Sequence, residues 1–121
     1  MMRAPMTGEK IAKLCAKYAD DKKAEDIVIL DVRGLSPITD YFVICTASSS
    51  PHLRAVLREI EDQMFEEHDL HPRWRDRSAD SEWLVLDFND VMVHVFMAEK
   101  REFYSLEELW GDAKKVKFST K

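Results

Sequence analysis

The stretch Trp83–Phe96, WLVLDFNDVMVHVF, carries the clearest topological signal in the chain. Two apolar runs, WLVLDF and VMVHVF, flank the polar pair Asn89-Asp90. Such a short polar connection joins antiparallel strands in a hairpin, and Asn tolerates the positive φ angle that the turn requires. We therefore predict two strands, 83–88 and 91–96, paired side by side in a sheet.

Three further runs before the hairpin have the character of strands. Residues 26–32 (DIVILDV) and 41–46 (YFVICT) are apolar and rich in β-branched or aromatic side chains, which is typical of buried strands. Residues 71–75 are expected to add a short edge strand. The predicted architecture is a mixed sheet of about five strands with flanking helices, of class α/β.

Three helices are predicted from periodicity and capping residues. The first covers about residues 7–24, with Thr7 as its N-cap. The second starts after Ser50 as the cap and carries one apolar stripe. The last follows Ser105, which we expect to form a capping box with Glu108. Together with the strands, these helices predict a mixed sheet with helices packed on it.

Length and composition predict a single globular domain. The chain has 121 residues, of which 45% are hydrophobic and 34% charged, and a chain of this size buries about two-thirds of its unfolded surface. We expect residues 1–121 to form one domain, with its core at about 7–113 and a solvated basic tail at 114–121. No apolar leader is visible in residues 1–10, so a cytoplasmic location without membrane insertion is expected.

The charge balance bears on the class of partner. The formal net charge is −5, whereas proteins that bind through phosphate contacts usually carry a basic excess. Sequence-specific binding to nucleic acid is therefore not expected. A partner that is itself basic, such as a protein of a nucleoprotein particle, fits the charge better than bare RNA does.

Catalytic and metal-binding motifs are not apparent, and no cofactor is expected. Ser48 and Ser49 precede a helix whose N-terminus could hold an anion, but an ordinary strand-to-helix turn with a Ser cap is the preferred interpretation. A two-metal nucleotidyltransferase would need paired carboxylates, and the later strands offer only Asp87. A nucleotide-handling enzyme that uses these residues remains the alternative. Cys15 and Cys45 are expected to be buried free thiols, and the scattered histidines do not suggest a zinc site.

Aromatic residues are concentrated in the last third of the chain. Trp83, Phe103, Tyr104 and Trp110 accompany Arg101 there. Tyr, Trp and Arg dominate the energetics of protein interfaces. The same residues could instead complete the core beneath the last helix, and Trp110 is the one most expected there.

Three ordered motifs give the chain a family resemblance. They are the segment from LDV at 30–32 through ITDYFVI at 38–44, the hairpin at 83–96 and REFYSLEELWGDA at 101–113. In this order and spacing they resemble the Iojap, or ribosomal silencing factor (RsfS), family over about residues 7–113. Members usually have Gly where this chain has Asn89, and Asn adopts the same backbone conformation.

The resemblance implies a function without catalysis. Ribosomal silencing factors bind the large ribosomal subunit at large-subunit protein fourteen, block joining of the small subunit and so repress translation under nutrient limitation. Family members are also connected with ribosome biogenesis as assembly factors for the large subunit, can form homodimers, and look like nucleotidyltransferases without catalytic carboxylates. Six positions that match the family motifs are expected to contact the partner: Trp83, Asp90, His94, Arg101, Tyr104 and Glu107.

Overall fold

The structure is a computed structural model that describes residues 6–78 and 80–118. Within these ranges the chain forms one mixed sheet flanked by helices, which confirms the predicted α/β class. The elements, in chain order, are α1 (Gly8–Asp21), β1 (Glu25–Asp31), β2 (Tyr41–Ala47), α2 (Ser50–His68), β3 (Trp74–Arg75), β4 (Trp83–Asp87), β5 (Val91–Met97), α3 (Ala98–Tyr104), α4 (Leu106–Leu109) and β6 (Lys114–Val116).

The strands lie in the order β3-β4-β5-β2-β1-β6. The central strands β2 and β5 are parallel, with Tyr41 opposite Val91 and Ala47 opposite Met97, and the other neighbours are antiparallel. The predicted hairpin is confirmed: β4 pairs with β5, and Asn89 in the turn has a φ of 79°. Every side chain of β2 is buried, because both faces of the sheet are covered at its centre.

Alternate residues of each strand contribute to two apolar clusters on opposite faces of the sheet. On one face, which we call the helical face, α1 and α2 pack through residues that include Ile11, Cys15, Leu57 and Ile60. The opposite face, which we call the second face, has a smaller cluster: Leu30, Val32, Phe42, Ile44 and Phe96. Cys15 and Cys45 are free and buried on the helical face, as predicted, and burial raises the pKa of both thiols.

The predicted basic tail is wrong in part. Lys114–Val116 forms β6, an edge strand antiparallel to β1, with Val116 opposite Ile29. Val116 and Phe118 pack against the core, while Lys114 and Lys115 face the solvent. Lysines are common on edge strands because they discourage pairing with another chain. The sheet therefore has six described strands instead of about five, and Lys121 lies outside the described residues.

The first helix cap is confirmed and the other two differ from prediction. The Thr7 side chain accepts a hydrogen bond from the Lys10 amide, as an N-cap should. For α2 the cap is Ser49, one residue before the predicted Ser50, and its hydroxyl accepts from the His52 amide. The predicted capping box is wrong, because Ser105 has a left-handed backbone (φ 48°, ψ 48°) and its hydroxyl donates to the Glu102 carbonyl.

Ser105 cannot cap α4 because it already ends α3, a helix that periodicity did not predict. A capping Ser needs an extended backbone, which Ser105 does not have. The chain instead leaves β5 directly into α3, turns sharply at Ser105 and adds the single turn of α4. We refer to α3 and α4 together as the C-terminal cover.

Candidate partner-binding face

The C-terminal cover shields only part of the second face. Leu106 of the cover, with Trp110 and Ala113 just after it, packs over the cluster formed by β1, β2 and β5. Trp110 is partly buried and its ring centroid lies 5.5 Å from that of Phe42, so the expectation that it packs against the core is confirmed. Towards β4 and β3 the face is more open: Val85 and Met92 are partly exposed, and Trp74 is 54% exposed. An open sheet face beside a helical cover is a candidate docking surface.

Trp83 lies where the cover meets this open region. Its ring stacks on Phe96 at 4.9 Å and lies 4.7 Å from the ring of Tyr104 in the cover. Its indole Nε1 donates a hydrogen bond of 3.0 Å to His94 Nδ1. Tyr104 itself is 44% exposed, so the two rings form a fixed aromatic step whose outer part faces the solvent.

His94 supports this step from within the sheet. It is only 4% exposed, and the Phe42 ring meets it edge to face at 5.1 Å. Burial lowers its pKa to about 4, so the imidazole is neutral at physiological pH. Because Nδ1 accepts from Trp83, the proton lies on Nε2, which is buried without a hydrogen-bond partner within the described part of the chain.

Arg101 fastens the cover to the sheet. Its guanidinium binds Glu107 through two nitrogens, at 2.9 and 3.1 Å, and donates to the Thr46 hydroxyl at 2.8 Å. The hydrogen bonds from Arg101 hold the pKa of Glu107 below its usual range. Arg101 therefore links α3, α4 and the end of β2.

Asp90 is separated from the other residues predicted to form the site. It lies in the hairpin turn before β5, whereas Arg101 follows the opposite end of that strand. Its side chain is exposed, and its carbonyl accepts hydrogen bonds from the Asp40 and Tyr41 amides. The structure thus brings together Trp83, His94, Arg101, Tyr104 and Glu107, and it places Asp90 at the opposite end of the strands of the same sheet.

Sequence reasoning missed three residues of this face. Thr46 and Phe96 are buried partners of Arg101 and Trp83. The pairing of β2 with β5 reveals the proximity of Thr46 to Arg101, and the register of β4 with β5 places Phe96 opposite Trp83. Trp74 had a usable signal, since a tryptophan in a predicted edge strand with polar neighbours is unusual.

The residues of the enzymatic alternative do not converge. Ser49 caps α2 and Ser48 hydrogen-bonds His52, both beyond the end of β2. Asp87 lies at the opposite end of the sheet, where it accepts from the Asn89 amide and pairs with Arg73. In residues 6–78 and 80–118 no group of three or more His, Cys, Asp or Glu side chains is placed to hold a metal ion.

The cover is acidic and partly apolar on its outer side. Residues 98–109 contain four glutamates against one lysine and one arginine. Phe103 and Leu109 are 76% and 73% exposed among these charges. A cavity of about 410 Å³ beside Arg101 is lined by five acidic residues, namely Glu25, Asp26, Glu102, Glu107 and Glu108. This surface suits a basic partner with apolar contacts. None of the described helices is both long and apolar enough to cross a membrane.

Comparison with known proteins gives consistent matches over most of the chain. A family model described as "Ribosomal silencing factor during starvation" matches residues 5–121. The chain is 42% identical over 108 residues to "Ribosomal silencing factor RsfS" of Bacillus subtilis, covering 89% of this chain and 91% of that protein. It is 38% identical over 104 residues to "Protein Iojap, chloroplastic" of Zea mays, covering 81% of this chain and 42% of that protein.

Solved structures agree with these sequence matches. A crystal structure of a Chromobacterium violaceum protein superposes with a TM-score of 0.82 at 28% identity, covering 94% of this chain and 93% of that chain. A crystal structure from Bacillus halodurans gives a TM-score of 0.76 at 31% identity, covering 91% of this chain and 99% of that chain.

Proposed function

This chain belongs to the family of ribosomal silencing factors, and from that premise we propose that it binds the large ribosomal subunit through large-subunit protein fourteen. Bound there, it blocks joining of the small subunit and represses translation under nutrient limitation. The observation that carries this proposal is the second face, on which a fixed aromatic step adjoins an acidic cover. Proteins of the ribosome are generally basic because they neutralise RNA, so the charges are complementary.

The mechanism is steric occlusion, with no bond made or broken. A domain of 121 residues seated on the subunit interface occupies volume that the small subunit needs. A standard interface of about 800 Å² on each partner is enough for specific binding. We propose no catalysis, since Ser48, Ser49 and Asp87 lie at opposite ends of the sheet.

The six residues have different roles in this proposal. Tyr104 and Trp83 contact the partner, because they present the exposed part of the aromatic step. His94 is buried and acts through Trp83, and the Arg101–Glu107 pair holds the cover in place. Asp90 would add a separate contact at the hairpin end, where its carboxylate faces the solvent.

The proposal extends to the state and place of the protein. We propose that residues 1–121 act as one domain in the cytoplasm and that the free protein can pair with a second copy. A role in assembly of the large subunit uses the same docking site and is compatible with silencing. Recovery of the protein on precursor particles alone, never on mature large subunits, would favour assembly as its main function.

The decisive experiment is sedimentation of the purified protein with separated large subunits. Wild-type protein should co-migrate at moderate salt and reduce formation of joined ribosomes when small subunits are added. Tyr104→Ala should weaken binding by about 30-fold or more, the effect of removing an interface hot spot worth about 2 kcal/mol. Phe65→Ala is a matched control, because Phe65 is 45% exposed but lies on α2, on the helical face.

Two results would contradict the proposal. If wild-type protein fails to co-migrate at both low and moderate salt, it does not bind the large subunit. If Tyr104→Ala and Phe65→Ala weaken binding equally, the second face is not the docking surface. A rise in melting temperature with a nucleoside triphosphate and a divalent metal would instead support the enzymatic alternative.

A further inference from the structure

Trp74 occupies an exposed position on the same face as the aromatic step. In the sheet register it is opposite Asp87, which is opposite Met92, which in turn is opposite Phe42. Side chains of paired residues point to the same side of a sheet, and Phe42 belongs to the second-face cluster. Trp74 therefore lies on the second face, at the edge strand beyond β4.

The open surface is continuous between Trp74 and Trp83. Val85 lies between them on β4, two residues from Asp87 and two from Trp83, and is partly exposed. Standard strand spacings place the two tryptophan backbones roughly 14 Å apart. An interface of about 800 Å² is roughly 28 Å across, so both indoles fit within one interface.

The edge around Trp74 is held in a fixed conformation. Arg73 donates to Asn89 and forms an ion pair with Asp87, both at 2.9 Å. On the other side of Trp74, Arg75 pairs with Glu61 on the helical face. The backbone of β3 is thus fastened to the hairpin turn and to α2, so this edge loses little backbone freedom on binding.

We propose that Trp74 is a second aromatic anchor for the basic large-subunit protein that docks on the second face, so that the interface runs from the cover across β4 to the β3 edge. This inference rests on the proposed function. The Trp74 indole is 54% exposed and lies in a row with Met92, beside the open part of β4. A partner can therefore bury much more of its surface, as an interface anchor requires.

Charge argues for a protein partner over RNA at this edge. Three arginines lie at this edge: Arg73 and Arg75 pair with Asp87 and Glu61, and Arg77 follows Asp76 in the sequence. The acidic side chains balance these charges, so the edge has no basic excess with which to release counterions from a phosphate backbone. The acidic cover at the other end of the open region attracts a basic protein, and Trp74 lies on the same continuous face.

The test compares tryptophan variants in the large-subunit binding assay. Trp74→Ala should weaken binding by about tenfold or more, whereas Trp74→Phe should retain most of the affinity and Phe65→Ala should leave it unchanged. Because Trp74 is exposed, Trp74→Ala should unfold at the same urea concentration as wild type. Binding to the purified large-subunit protein without RNA provides a second readout, since an apolar contact between Trp74 and that protein predicts the same loss of affinity there as on the whole subunit.

The outcomes separate this inference from the proposed function. Binding by wild type that Tyr104→Ala weakens but Trp74→Ala does not would overturn the role of Trp74 and leave the docking face intact. A loss of affinity in Trp74→Ala that appears on the whole subunit but not on the purified large-subunit protein would assign the edge to RNA and overturn the protein contact. If Trp74→Ala only abolishes self-association in analytical ultracentrifugation, a second copy occupies the edge, and the inference is also wrong. Absence of wild-type binding would reject the proposed function itself.

Discussion

Replacement of Arg101 by methionine tests whether the cover is held by one side chain. The Arg101 side chain is 13% exposed and its partner Glu107 is 36% exposed. Loss of a partner from a fully buried pair costs about 3–5 kcal/mol, and exposed pairs contribute about 1 kcal/mol or less. The intermediate burial, together with a Thr46 hydroxyl left unpaired, predicts a loss of about 2–3 kcal/mol in the free energy of unfolding.

Urea unfolding followed by circular dichroism measures this loss. The urea concentration at the unfolding midpoint should fall, while the slope of the unfolding free energy against urea concentration stays the same. The melting temperature should drop by about 10 °C for a domain of this size. Arg101→Lys should recover less than half of the stability, because an ammonium group cannot form the paired hydrogen bonds to Glu107. In a double-mutant cycle with Glu107→Gln, the coupling energy should be about 1 kcal/mol.

The acid dependence gives an independent check of the same pair. Arg101 lowers the pKa of Glu107 in the folded state, so the pair contributes stability above the unfolded pKa of glutamate. This contribution is lost as the pH falls through the lower, folded pKa. The difference between wild type and Arg101→Met should therefore shrink below about pH 4. A loss under 0.5 kcal/mol at neutral pH, on the order of a surface substitution, would refute the reasoning.

Three further predictions concern the sheet. The pKa of His94 is about 4 in the folded protein and about 6.5 in the unfolded chain, so its protonation should remove about 3 kcal/mol from the free energy of unfolding as the pH falls from 6.5 to 4. The stability of His94→Phe should depend less steeply on pH, and an equal dependence would contradict the assigned burial. In urea unfolding, Val116→Asp should lower the free energy of unfolding by about 2 kcal/mol, and Lys115→Asp should change it by about 0.5 kcal/mol or less. Equal effects would mean that β6 is not packed as described. Asn89→Val should cost about 1–2 kcal/mol and Asn89→Gly much less, because φ is 79° there; a tolerated valine in thermal unfolding would argue against this turn.

The predicted elements that the structure confirms depend on local chemistry. The hairpin around Asn89 follows from alternation and turn residues, and the Thr7 cap from a hydroxyl three residues before the amide it binds. The Ser49 cap was displaced by one residue because three consecutive serines offer equivalent caps to α2. Boundaries of this kind depend on energy differences smaller than those that define the element itself.

The docking face required information that no local pattern contains. Arg101 and Thr46 are 55 residues apart in sequence, and they meet only because β2 lies parallel to β5. The family resemblance placed Trp83, Tyr104 and Asp90 in one predicted site. The structure brings the rings of Trp83 and Tyr104 into contact, whereas Asp90 lies at the opposite end of the sheet. Trp74 becomes interpretable only once the register places it beside Asp87.

The α/β class, the central strands, the long helices and the family could all be predicted from the amino-acid sequence. Hydrophobic periodicity and helix capping depend on residues close together in the sequence, so they can be recognised without knowing which segments are neighbours in the fold. Three features emerged only with the folded chain: Lys114–Val116 completes the sheet, Ser105 turns the chain instead of capping α4, and part of the second face stays open. Those features depend on pairing energies between distant segments, which outweigh the weak local preferences of each.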